Sequence, residues 1–177
     1  MATPPTFSSG AILTAAQMNS VGLWLVKSQT IGTGVSSVTV TGAFSADYNN
    51  YLIQVNGGST SLSGSVSLQL NNSTGFTYNL AGNYGNYGVN NLTYNPGAST
   101  RWNDIMFGGT TGYSANIFLS SPFASFPTIG NSESSSLATF YKFSCIDTST
   151  NSSTGFTIAP VTGTLTGGTI RVYGYRN

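Results

Sequence analysis

The chain has 177 residues, a length that fits one large domain or a small domain with an appendage. It holds five Lys and Arg, four Asp and Glu and no His, so its formal net charge is +1. So small an excess of positive charge excludes the basic surface of a nucleic-acid-binding protein. The lack of His excludes a histidine-based catalytic triad or metal site. A single Cys excludes an intrachain disulfide. The apolar runs are too short to span a bilayer, so we expect no membrane insertion.

The uncharged polar residues dominate the composition, since Ser, Thr and Asn make up 67 of the 177 residues. Low charge often accompanies disorder, but disordered chains have few aromatic and β-branched residues. This chain has 10 Phe, 10 Tyr and 2 Trp together with many Val, Ile and Thr. That composition favours strands, and a domain of this size buries enough surface for an ordered core.

The first predicted element lies in residues 1–22, which differ in pattern from the rest. Thr14 and Gln17 have the spacing of a capping box, which predicts one short helix over 15–20. Two interpretations of this arm stay open. The helix plugs one end of the core, or the arm and helix dock on another protein.

From residue 23 onward, apolar residues recur with period two or in short runs. Val66, Leu68 and Leu70, for example, alternate with polar residues, so one face of that strand is buried and the other lies in water. The predicted strands lie near 23–31, 35–41, 48–55, 66–70, 102–107, 113–119, 137–146, 156–158 and 170–175. This spacing, with Gly, Asn and Ser clusters between strands, predicts an all-β fold over 23–177, a jelly-roll-like antiparallel β-sandwich.

The segment 71–100 is too long and too polar for a tight hairpin, and we predict a long loop there. Its tyrosines offer large contact areas at low entropic cost, and its Asn and Gly residues adapt their hydrogen bonds. The same residue types suit a glycan, because aromatic faces stack on sugar rings. The candidate ligand-binding residues are Asn83, Tyr84, Asn86, Tyr87 and Tyr94. The alternative is that Tyr84 and Tyr87 pack back on the sandwich.

The acidic residues that catalysis could use are Asp47, Asp104, Glu133 and Asp147. Glycosidases need two facing carboxylates, but each of these residues has a structural interpretation, and Glu133 falls in a predicted Ser-rich loop. Cys145 lacks a histidine activator and is expected to be a small buried residue. No phosphate-binding loop or calcium-type cluster occurs. We therefore expect no enzyme activity, no metal and no cofactor.

Three segments resemble bacteriophage virion proteins. Residues 7–19, Phe-Ser-Ser-Gly-Ala-Ile-Leu-Thr-Ala-Ala-Gln-Met-Asn, are similar to the start of many tail-fibre and other virion proteins, which carry Leu-Thr-Ala-Ala-x-Met-Asn. Residues 43–51, with paired tyrosines before a strand, and the closing strand at 167–177 resemble small phage structural proteins. Together these segments cover 33 of the 177 residues.

The resemblance implies a β-rich homotrimer that assembles with other virion proteins in the bacterial host cytoplasm and performs no chemistry. The expected role is a short tail fibre or receptor-binding component that adheres to host surface polysaccharide. The N-terminal motif makes Phe7, Ile12, Leu13 and Met18 the candidate virion-attachment residues. Two alternatives stay open. One is a capsid decoration (cement) protein that stabilises the head, and the other is a glycan-cleaving tail enzyme.

Overall fold

A computed structural model of the chain describes residues 10, 12, 22–89 and 92–175. These described residues form fourteen strands and no helix. The strands are β1 (Leu23–Thr30), β2 (Val38–Val40), β3 (Asn50–Asn56), β4 (Ser59–Thr60), β5 (Gly64–Leu70), β6 (Tyr78–Asn86), β7 (Leu92–Tyr94), β8 (Trp102–Gly108), β9 (Tyr113–Ser120), β10 (Thr128–Ser136), β11 (Thr139–Asp147), β12 (Phe156–Pro160), β13 (Leu165–Thr166) and β14 (Thr169–Tyr175). For the described residues, the prediction of an all-β fold over 23–177 is confirmed.

The predicted N-terminal helix over 15–20 lies outside the described residues, as do Phe7, Leu13 and Met18. Of the four candidate attachment residues only Ile12 is described, and its side chain is exposed. The attachment role of this segment therefore stays a prediction.

The strands pair antiparallel in three sheets. The largest has eight strands in the order β1-β14-β3-β9-β10-β11-β6-β7. A second sheet has four strands in the order β2-β12-β5-β8, and β13 pairs with β4 in a small third sheet. The four-stranded sheet packs on the inner face of the eight-stranded sheet, and one apolar core lies between them.

Period-two alternation builds this core as the sequence predicts. In β9, Tyr113, Ala115, Ile117 and Leu119 are buried, and the residues between them point outward. Trp102 of β8 is buried between the sheets, and its indole N–H donates to the carbonyl oxygen of Ile146 at 3.2 Å. The two sheets are therefore joined by a hydrogen bond as well as by apolar contact.

The prediction of a long loop over 71–100 is wrong. That segment contains β6 and β7, and β6 pairs with β11 along its whole length from Tyr78 to Asn86. The segment is polar because one face of β6 is solvated. Gly82 and Gly85 interrupt the alternation of apolar and polar side chains that would otherwise indicate a strand. Added at Gly82, a Cβ would overlap the carbonyl oxygen of Lys142, so the close approach of β11 requires glycine there.

Strand β10 lies where the sequence predicts a Ser-rich loop. Its inward positions hold small residues, and three of these, Thr128, Ser132 and Ser134, are buried hydroxyl residues. The hydroxyl of Ser134 accepts a hydrogen bond from the backbone N–H of Phe107 in the opposite sheet at 3.0 Å. The apolar Ile129 instead points outward and is 57% exposed. The usual pattern of apolar-in and polar-out is thus inverted, which is why hydrophobic periodicity misses this strand.

Candidate functional site

The outer face of the eight-stranded sheet carries a row of polar side chains across four neighbouring strands. Asn83 of β6 lies opposite Lys142 of β11, Lys142 lies opposite Glu133 of β10, and Glu133 lies opposite Asn116 of β9. Lys142 and Glu133 form a salt bridge with 2.8 Å between Nζ and Oε1, and both side chains are largely exposed. The hydrogen bond and charge of Glu133 raise the pKa of Lys142, so the ammonium stays protonated.

Two aromatic side chains lie beside this row. Tyr87 and Phe140 have ring centroids 5.8 Å apart, and Tyr87 is 58% exposed. An open depression of about 350 Å³ adjoins them, lined among others by Asn116, Glu133 and Lys142. We call the following set the outer patch: Asn83, Tyr87, Asn116, Glu133, Phe140 and Lys142. It combines aromatic faces with amide, carboxylate and ammonium groups on one surface.

The structure separates the five residues predicted to bind ligand. Asn83 and Tyr87 belong to the outer patch. Tyr84 and Tyr94 are partly buried and pack against the core, with ring centroids 5.9 Å apart in a T-shaped arrangement. Asn86 accepts a hydrogen bond from the hydroxyl of Thr139 at 2.9 Å. Tyr84 and Tyr94 therefore contact the core, whereas Tyr87 is exposed.

The inward tyrosines surround one carboxylate. Tyr94 donates to Oδ2 of Asp104 at 2.9 Å, and the Ser65 hydroxyl donates to Oδ1 of the same carboxylate. Burial, followed by the hydrogen bond and charge of Asp104, raises the pKa of Tyr94 to about 12. Asp104 lies on β8, the edge strand of the four-stranded sheet, and Tyr94 lies on β7, the edge strand of the eight-stranded sheet. Their hydrogen bond therefore ties together the two sheet edges on that side of the molecule.

The four acids have separate structural partners. Asp47 accepts from the hydroxyl of Ser45 at 3.0 Å, and Asp147 is buried and accepts from the hydroxyl of Ser149 at 2.8 Å. Glu133 lies on the outer face, whereas Asp104 lies between the sheet edges. Within residues 22–89 and 92–175, no cluster of three or more Cys, Asp or Glu side chains has metal-binding geometry.

Sequence reasoning missed four members of the outer patch. Phe140 and Lys142 lie on a predicted strand, but the sequence does not show which face of the sheet they join. Glu133 and Asn116 become neighbours only through the pairing of β9 with β10. The available signal was the sequence Asn131-Ser132-Glu133-Ser134-Ser135, in which buried serines alternate with larger polar residues.

No protein-family model matches the chain, and neither the curated proteins nor the solved structures include a similar protein. Among the described residues, none of the elements is a helix of the length and apolarity that crossing a bilayer requires.

Proposed function

We propose that this chain is a receptor-binding component of a bacteriophage tail, of the short tail fibre type, which adheres to host surface glycan. The observation that carries this proposal is the outer patch, where two neighbouring aromatic rings adjoin a row of amide and charged side chains. The resemblance of residues 7–19 to phage virion proteins supports the virion setting.

The chemistry of the patch suits a sugar. Phe140 and Tyr87 offer apolar ring faces on which the C–H groups of a pyranose can stack. Asn83 and Asn116 have amides that donate and accept hydrogen bonds, and the Glu133–Lys142 pair adds an acceptor and a donor in the same row. Because the pair is internally neutralised, the patch favours an uncharged glycan over a polyanion.

We further infer that the two large sheets form a jelly roll with added strands. The pairs β1–β14, β2–β12, β3–β9 and β5–β8 are nested, so the first strand pairs with the last and each inner pair lies within the previous one. This nesting is the pattern of a long hairpin rolled into two sheets, which eight-stranded jelly rolls adopt. Strands β6, β7, β10 and β11 then extend one sheet, and they supply four of the six residues of the outer patch.

The N-terminal arm is proposed to anchor the protein in the virion through Phe7, Ile12, Leu13 and Met18. Removing residues 1–20 should then leave a folded, soluble domain that no longer enters the particle. An unfolded product would instead assign the arm to the core.

The second candidate is a capsid decoration protein. It is favoured by apolar residues that the outer face leaves in solvent, among them Leu23, Leu25 and Phe118. Such residues would be covered on docking to a capsid shell. Copy number distinguishes the two roles, since a decoration protein covers the whole shell and a tail component occurs only where tail structures attach. Each of the four acids has its own structural partner, which fits a role without catalysis in either case.

The decisive experiment measures binding of the purified protein to a panel of bacterial cells and to their purified O-antigen and capsular polysaccharides. The double variant Tyr87→Ala/Phe140→Ala should lose binding, because each aromatic hot spot contributes about 2 kcal/mol or more. Phe76→Ala is the matched control, since Phe76 is an exposed aromatic in a turn outside the outer patch. Equal binding by the wild type and the double variant would remove the outer patch as the receptor site.

A further inference from the structure

The depression beside Phe140 is the first of three that follow one another along β10 and β11. The second, of about 340 Å³, shares Glu133 and Lys142 with the first. The third, of about 590 Å³, shares Asn131 and Ser144 with the second. Because each depression shares lining residues with the next, the three lie in one row along the outer face. We call this row the strand channel.

The channel is long compared with one sugar. It runs along β10 from Ser135, which lines the first depression, to Ile129, which lines the third. These positions are six residues apart, so at the rise of a β-strand they are separated by about 20 Å. That distance is several times the width of a single sugar ring.

The lining changes along the channel but carries no net charge. Phe140 lies at one end, the Glu133–Lys142 pair and then Asn131 and Ser144 follow, and Ile129 lies at the other end. Aromatic and aliphatic side chains at the two ends can contact the C–H faces of sugar rings. The hydroxyl and amide groups between them can bond to ring substituents. A peptide that binds by adding a strand needs a free strand edge, whereas β10 and β11, along which the channel runs, are paired on both sides.

We propose that the ligand is a linear, predominantly uncharged polysaccharide, which lies lengthwise in the strand channel over several consecutive sugar residues. This inference rests on the proposed glycan-binding function and specifies its ligand. In this mode the protein contacts several consecutive sugars of a polymer, whereas in the alternative mode it binds a single terminal sugar beside Phe140 alone.

The test uses the full-length protein and the purified polysaccharide that it binds best in the panel above. Fragments of that polysaccharide, separated by size from the single sugar upward, are titrated by calorimetry. Affinity should rise at least tenfold from the shortest fragment to fragments that fill the channel, and then reach a plateau. Affinity that does not change with fragment length would overturn the lengthwise mode but leave glycan binding intact.

A blocking variant tests the position of the ligand. Ser144 is exposed on the outer face in the middle of the channel, so Ser144→Trp should fill the channel without disturbing the core. It should reduce affinity for long fragments at least tenfold and leave the shortest fragment nearly unaffected. The matched control is Ser28→Trp, because Ser28 is an exposed serine of β1 at the far edge of the same sheet.

Each outcome decides the inference. Equal loss for Ser28→Trp and Ser144→Trp, or no loss for either, would exclude the strand channel as the binding site. Binding of no polysaccharide in the panel would overturn both this inference and the proposed function. Self-association that Ser144→Trp abolishes, without any glycan binding, would reassign the channel to contact with a second copy of the chain.

Discussion

Replacing Tyr94 by Phe removes one hydroxyl and tests whether the two sheet edges are held together as the structure indicates. The hydroxyl donates to Asp104 at 2.9 Å, and no other atom of the ring changes. A hydrogen bond to a charged group contributes about 1.5–3 kcal/mol to stability. Asp104 is only half-buried, so in the variant water can replace part of this interaction. We therefore expect the free energy of unfolding to fall by about 1–2 kcal/mol. For a domain of this size that loss corresponds to a decrease in Tm of about 2–8 °C.

The pH dependence of this variant makes the test specific. Burial and the neighbouring Asp104 raise the pKa of Tyr94 from 10.0 to about 12, so the folded state holds the phenolic proton more tightly than the unfolded state. The stabilisation is complete below pH 10 and is lost as the pH rises towards 12. The difference in stability between the wild type and Tyr94→Phe should therefore shrink over that interval.

The measurement is urea denaturation at pH 7, 9.5 and 10.5, with Tyr87→Phe as the control. Tyr87 is exposed, so loss of its hydroxyl should change the free energy of unfolding by less than about 0.5 kcal/mol. Equal stability of Tyr94→Phe and wild type at pH 7 would refute the assignment of a stabilising role to this bond. A stability difference that stays constant with pH would refute the link to Tyr94 ionisation.

Three further predictions follow from packing. Phe118 is 39% exposed on the outer face, opposite Leu52. If this apolar surface joins the copies of a homotrimer, Phe118→Glu should reduce the mass measured by light scattering to the 18.4 kDa of one chain. A wild-type protein that is already monomeric would contradict the trimer. Gly82→Ala should destabilise the fold by about 1–3 kcal/mol in urea denaturation, because its methyl group would overlap β11, whereas the outward Ala81→Ser should be neutral. Burial raises the pKa of Cys145 to about 12, so thiol labelling at pH 8 should proceed at the rate of unfolding, and rapid labelling of the native protein would contradict that burial.

The fold was predictable wherever one strand face is apolar and the other polar. Strand β9 follows that rule at all eight positions except Phe118, which points outward. Strand β10 breaks the rule, because small buried serines on its inner face pair with β9 and β11 and leave Ile129 in solvent. The inward residues of β10 are small, and most of them are polar, so they give no periodic hydrophobic signal in a sequence so rich in Ser.

The candidate site was predictable only by residue type. Aromatic residues mixed with Asn drew attention to segment 71–100, but the sequence alone does not give the face on which each residue lies. Once β6 is a strand, Asn83 must point away from Tyr84, because successive side chains point to opposite faces. Phe140, Glu133 and Lys142 join Asn83 through strand pairing, which depends on contacts between residues distant in the chain.

This arrangement separates the residues that stabilise the domain from those proposed to bind the ligand. In β11, Tyr141, Phe143 and Cys145 fill the core, while Phe140 and Lys142, at alternating positions, face outward. Substitution of an outward residue leaves the inward packing intact, so the outer face can change in sequence without loss of the fold. A shift of the β10–β11 pairing by one residue would instead exchange the two faces and place Lys142 in the core. The same pairing register therefore fixes both the core of the domain and the composition of the strand channel.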